Sequence, residues 1–146
     1  MSVQVSKAHL TETLRLLRDC GRGVRECQVL WLSAWHDPDR IARVVHSQHS
    51  GHAFGFRLED SFINQLWLEL AASRSGVRVQ VHTHPREAFH SRTDDEWPLV
   101  HTVGFLSLVI PNFAQGREGL DGAYLASIEA DGSWKKLEPS AVLEVT

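Results

Sequence analysis

Residues 77–81, Val-Arg-Val-Gln-Val, alternate apolar and polar side chains without a break and run directly into His82-Thr83-His84-Pro85. Strict alternation has the period of a strand, so this segment commits the chain to a sheet with a covered face. In an extended backbone His82 and His84 project to the same side while Thr83 points to the other. Pro85 cannot donate to a ladder, so the strand ends there and presents two imidazoles at its end. Shortly afterwards Ser91-Arg92-Thr93-Asp94 has the S-x-x-D spacing of a capping box, in which Ser91 caps a helix and Asp94 reaches back to it.

Taken alone, each half of this pattern has an ordinary reading: two histidines on a half-exposed strand, and a capped helix. Together they offer two imidazoles and one carboxylate with a fourth position open, the donor set of a catalytic zinc site. Nine histidines in 146 residues, several of them at 46, 49, 52, 82, 84 and 90, raise the expectation of metal further. His46, His49 and His52 fall in a segment read as strand and loop and are expected to be solvent-exposed.

The rest of the chain supplies the frame. Leucines at 10, 14, 16 and 17 predict a helix over residues 8–20, stopped by Gly21 and Gly23. Residues 27–33 form an apolar run of strand length, and residues 41–47 predict a second strand after the turn signals at 36–39. A hydrophilic stretch then leads to Phe54 and Phe56. Phe62, Ile63, Leu66, Trp67 and Leu70 give residues 59–73 a broad apolar helical face. Residues 94–102 suit a short helix confined by Pro98, residues 105–110 a strand, and residues 122–137 a hairpin about the turn at 130–133. Helix, strand, strand, helix, strand, short helix, strand, hairpin describes a single α/β (α+β) domain over residues 1–146, with a central mixed sheet flanked by helices. Trp31, Trp67 and Trp134 are expected in its core.

Charge and cysteine usage exclude other classes. A net charge of −3, without a basic block, argues against nucleic acid as a partner. The absence of a signal-like N-terminus or a long apolar run argues against membrane and predicts a cytoplasmic protein. Cys20 and Cys27, the two cysteines, are then expected to be free thiols.

His82-Thr83-His84-Pro85 followed by Ser91-x-x-Asp94 resembles the signature of the JAMM (JAB/MPN) zinc metalloprotease domain. That signature includes an upstream glutamate before a small or cysteine residue and a hydrophobic run, and Glu26-Cys27-Gln-Val-Leu-Trp-Leu stands in that place. The element order over roughly residues 8–130 is similar too. The loop from Pro85 to Ser91 is one residue shorter than in better known members. The resemblance implies an MPN/cytidine-deaminase-like fold, Zn²⁺ held by His82, His84 and Asp94, Glu26 as general base and Ser91 as oxyanion donor. Glu26 otherwise reads as a surface partner of Arg22 or Arg25, and Asp95 is a rival ligand to Asp94. His90 and Trp97 are candidates for a substrate groove.

The resemblance further implies cleavage after the C-terminal glycine of a ubiquitin-like modifier, from conjugates or precursors. Residues 45–56 or the loop after Pro111 are the candidates for contacting its extended tail. Short bacterial members of similar sequence are encoded beside relatives of ubiquitin-activating and conjugating (E1/E2-like) enzymes, which makes those enzymes expected partners. Two other readings use the same residues: a zinc amidase acting on small amino-acid conjugates, and a non-catalytic MPN scaffold.

Overall fold

The computed structural model describes residues 1–47, 49–53, 55–116 and 118–146. Helix α1 (Lys7–Gly21) begins where the Ser6 hydroxyl accepts from the His9 N–H at 3.0 Å. It buries Leu10, Thr13, Leu14 and Leu17, one stripe of a 3.6-residue period. Arg22 then turns left-handed and its N–H donates to the Arg18 carbonyl, closing the helix, and Gly23, also at positive φ, completes the reversal. The chain re-enters as β2 (Gln28–Ala34), buried along nearly its whole length.

Strands β3 (Arg43–His46), β2, β6 (Ser75–Thr83), β7 (Leu106–Ile110), β8 (Tyr124–Ile128) and β9 (Trp134–Leu137) form the main sheet in that order. Only β6 and β7 in it run parallel, so the sheet is mixed and β6 lies inside it. Alternation along β2 divides the core. Val29 and Trp31 face α1 together with Val79 and Val81, and the Trp31 indole N–H donates to Thr13 Oγ1 at 2.8 Å. Leu30 and Leu32 face helix α2 (Asp60–Ser73) and meet Leu66 and Leu70. Helices thus cover both faces of the sheet, as expected from the sequence. Among the described residues no helix is long and apolar enough to cross a membrane.

Several elements depart from the sequence expectation. The stretch before α2 is a hairpin, β4 (His49–His52) paired with β5 (Gly55–Leu58), and Phe54 lies outside the described residues. Helix α3 spans only Arg92–Glu96 instead of running to residue 102, because Pro98 disfavours helical backbone at Trp97, whose dihedrals lie outside the helical region. The short strand β1 (Val3–Val5) pairs in parallel with β10 (Leu143–Val145), which follows α4 (Pro139–Val142) and ties the two ends of the chain together over α1. Trp31 is fully buried, but Trp67 is 42% exposed.

The expected free thiols are instead a disulfide between Cys20 and Cys27. The reversal after α1 brings the last turn of the helix over the start of β2, leaving the two Cα atoms 6.2 Å apart. That distance is within the range a disulfide spans. The expectation weighed cysteine number and compartment, neither of which contains that proximity.

Candidate metal centre

Backbone pairing alone assembles most of the site. The antiparallel β2/β6 register sets Gln28 opposite His82. Continued two positions past the ladder it sets Glu26 opposite His84. The pairing is held there by the Cys27 N–H donating to Thr83 Oγ1 at 3.0 Å and the Thr83 N–H donating to the Cys27 carbonyl at 3.1 Å. On the other side the His84 N–H donates to the Ile110 carbonyl at 2.9 Å. The histidines therefore stand at the carboxyl end of β6, beside its parallel neighbour, where the crossover leaves the sheet. Open α/β sheets bind ligands in that location.

The crossover returns the third group. Ser91 Oγ accepts from the Asp94 N–H at 3.1 Å and the Ser91 N–H donates to Asp94 Oδ2 at 2.9 Å, so the capping box is complete. The same Oδ2 lies 3.2 Å from His82 Nε2 and 3.2 Å from His84 Nε2. Cap and candidate ligand are thus one carboxylate: the helix start fixes the oxygen that faces the imidazoles. Ligand bonds of about 2.0–2.1 Å meeting at a tetrahedral angle separate neighbouring donor atoms by roughly 3.3 Å. Two nitrogens and one oxygen at this spacing, in a buried setting, fit a divalent ion such as zinc.

Glu26 completes the surroundings. It is 6% exposed, with Oε1 3.9 Å from His84 Nε2. The surface pairing open to it does not form with Arg25, whose guanidinium donates to the Cys20 carbonyl at 2.9 Å. Burial pushes the Glu26 carboxyl up to about 7; His84 acts against that rise and Asp94 adds to it. Asp94 is held well below the usual carboxylate range. Burial works to raise it, but the His82 and His84 imidazoles and the Ser91 N–H outweigh burial. Two acids within one site are therefore driven apart in proton affinity, the separation that acid–base chemistry requires.

A cleft of about 1250 Å³ opens over these groups. Ser91 and Trp97 line it, Trp97 being 77% exposed, and the β4–β5 hairpin contributes Gly55, Arg57 and Leu58. Phe113, just past Pro111, reaches it as well. His90 turns the other way. Its ring packs on Trp134 at 4.5 Å, Nε2 lies 3.1 Å from Ser107 Oγ, and Nδ1 bonds Asp95. That bond also directs Asp95 away from the imidazoles, so the rival carboxylate is occupied elsewhere. Phe89, which the sequence reading passed over, sets its edge against the His84 ring at 4.6 Å and forms part of the cleft wall. An exposed aromatic between a strand end and a cap was the available signal.

No protein-family model matches the chain. It is 48% identical over 138 residues to the probable metalloprotease y4jG of Sinorhizobium fredii, covering 87% of this chain and 81% of that one. Among solved structures, a protein of Desulfitobacterium hafniense aligns over 99% of this chain and 92% of its own with a TM-score of 0.67 at 15% identity. A JAB1/MPN domain protein of Archaeoglobus fulgidus aligns over 99% and 98%, with a TM-score of 0.56 at 15% identity. A metal-type donor set at the end of a central strand, with a buried carboxyl opposite it, agrees with the name of the first relative, a probable metalloprotease. The chain belongs to the family of the probable metalloprotease y4jG and has the fold of a JAB1/MPN domain.

Proposed function

We infer that the protein is a JAMM-type zinc peptidase that hydrolyses the amide or isopeptide bond following the C-terminal glycine of a ubiquitin-like modifier. The observation that carries the reading is the buried Glu26 carboxyl across from the His82, His84 and Asp94 donor atoms, poised near neutrality. His82, His84 and Asp94 would hold zinc, which when bound would lower the pKa of a water and polarise the scissile carbonyl. The Glu26 carboxylate accepts the proton of the attacking water and passes it to the nitrogen of the leaving amine. Ser91 Oγ uses a lone pair for its cap, so its own proton remains to be donated to the oxygen of the tetrahedral centre.

The cleft supports an extended peptide as substrate. Apolar side chains, among them Val24, Ile63, Phe89 and Trp97, border it together with the polar Arg57, Arg86 and Glu87. Glycine at the cleavage position suits backbone passing close over the imidazoles. Enzymes that attach such modifiers, relatives of the E1 and E2 types, would supply its substrates.

The test uses the purified protein, its Glu26→Gln variant and a modifier fused at its C-terminal glycine to a reporter. The wild type is expected to hold zinc and release the reporter. The variant should keep zinc and lose about 10²–10⁴-fold in rate. Cleavage of small aminoacyl amides but not of the fusion would point to an amidase instead, and equal rates for the two proteins would remove Glu26 from the mechanism.

A further inference from the structure

A second cluster of metal-type side chains adjoins Glu26 along the chain. Cys20 sits on the last turn of α1, Cys27 immediately precedes β2, and His49 opens β4. Their Sγ and imidazole nitrogen atoms all fall within 4.8 Å of one another. We propose that Cys20, Cys27 and His49 form a second metal site, closed while the cysteines are joined as a disulfide and available to a soft divalent ion such as zinc once they are reduced.

The orientation of His49 argues for a ligand. Its Nδ1 lies 2.7 Å from the Ser47 carbonyl. That nitrogen therefore carries the proton and donates, and the tautomer leaves a lone pair on Nε2. Nε2 in turn lies 3.6 Å from Cys20 Sγ. A ring whose second nitrogen is tied to a backbone carbonyl is the usual arrangement of a metal-binding histidine. Two thiolates and an imidazole are a softer set than His82, His84 and Asp94, and match zinc with its fourth position left to solvent.

The chemistry balances with a dithiol as reductant. Its thiolate attacks Cys20 Sγ, the more accessible sulfur, the Cys20–Cys27 bond breaks, and the reductant's second thiol closes its own disulfide. Two cysteine thiols result, and metal binding releases their two protons. In either state the segment between α1 and β2 is closed by a bond through Cys27, the residue next to Glu26.

The zinc content of the oxidised chain is compared with that of the chain reduced by a dithiol and freed of reductant without air. One additional equivalent is expected on reduction. Cobalt in place of zinc should give thiolate-to-metal charge-transfer absorption in the reduced chain only. His49→Ala and Cys20→Ser should each lose the additional equivalent. The increment is a difference between redox states, so it is independent of whether His82, His84 and Asp94 bind zinc. Equal zinc content in the two states, an increment that survives His49→Ala, or cobalt without the thiolate band would overturn the proposal. The wild-type comparison stands even if a cysteine variant does not fold.

Discussion

Glu26 faces one cluster of metal-type ligands and adjoins a second in sequence through Cys27, and the two are differently built. The donor atoms in each lie within 4.8 Å of one another. His82, His84 and Asp94 come from one strand end and the helix that follows it. Ladder bonds and a capping box fix their positions, interactions between residues close in sequence or in register. Cys20, Cys27 and His49 come from a helix end, a strand start and a hairpin, brought together by tertiary packing. The first cluster touches Glu26 through space, by charge; the second touches it through the chain, by way of Cys27. Their separation predicts that disturbing one should leave the metal content of the other intact.

The largest effect is expected from His84→Ala. Removing one of three ligands should empty the first cluster and cost several kcal/mol of charge stabilisation, a rate loss on the order of 10³-fold or more. The zinc increment seen on reduction should persist. Loss of both at once, measured by metal analysis in the two redox states, would show that the clusters are not independent.

Ser91→Ala comes next. Loss of an oxyanion donor costs about 10²–10³-fold in rate, and loss of the cap about 0.5–2 kcal/mol in stability. Ser91→Gly separates the two roles, because glycine caps nearly as well but has no hydroxyl. If Ser91→Gly recovers the rate along with the stability, the hydroxyl serves only the helix. In the second cluster, Cys27→Ser should destabilise the oxidised, metal-free chain by about 2–3 kcal/mol, the chain-entropy value for so short a closed loop, as read by urea unfolding. The variant's stability should then ignore added dithiol.

The two constructions also explain what was legible in the sequence. The H-x-H-P stop and the S-x-x-D cap are local rules, and the structure places their residues as those rules require; the strand alternation holds from Val79 onward, but a register shift against β2 turns Val77 to the α2 side beside Leu32. The α1 and α2 faces were equally readable from Leu10, Leu14 and Leu17 and from Leu66 and Leu70. Contacts that depend on where distant elements meet left no such trace. The Cys20–Cys27 bond and the half-buried setting of His49 follow from the reversal after α1 and the β4–β5 hairpin, and the β1–β10 pair joins opposite ends of the chain. His90 shows the same limit. It lies beside Ser91 in sequence, yet Trp134, Asp95 and Ser107 draw its ring away from the cleft. Trp67, on an apolar helix face by spacing, is exposed because the cleft opens where a packed neighbour was expected.

The smallest effect isolates the coupling of Glu26 to the first cluster. In the metal-free chain its carboxyl is raised from 4.5 to about 7 by burial, so between those values the folded chain keeps a proton that the unfolded chain has released. Stability contributed by this group is complete below pH 4.5 and is lost as pH rises through 7. Allowing for solvent screening of a partly accessible group, the loss from pH 5 to pH 8 is about 1–2 kcal/mol. His46, His49 and His90, all held below their ordinary values by burial, act in the opposite sense over the same window, since the unfolded chain binds the proton that they refuse. The wild-type curve is therefore a sum of opposing slopes, and the difference between wild type and Glu26→Gln is the quantity to measure. That difference should shrink when zinc is added, because a cation bound beside Glu26 favours its carboxylate and cancels the rise that burial produces. Oxidising or reducing Cys20 and Cys27 changes no charge in the cleft, so the same difference should be indifferent to redox state. A pH term that follows the disulfide instead of the zinc would mean that the segment between α1 and β2, and not charge, sets the state of Glu26.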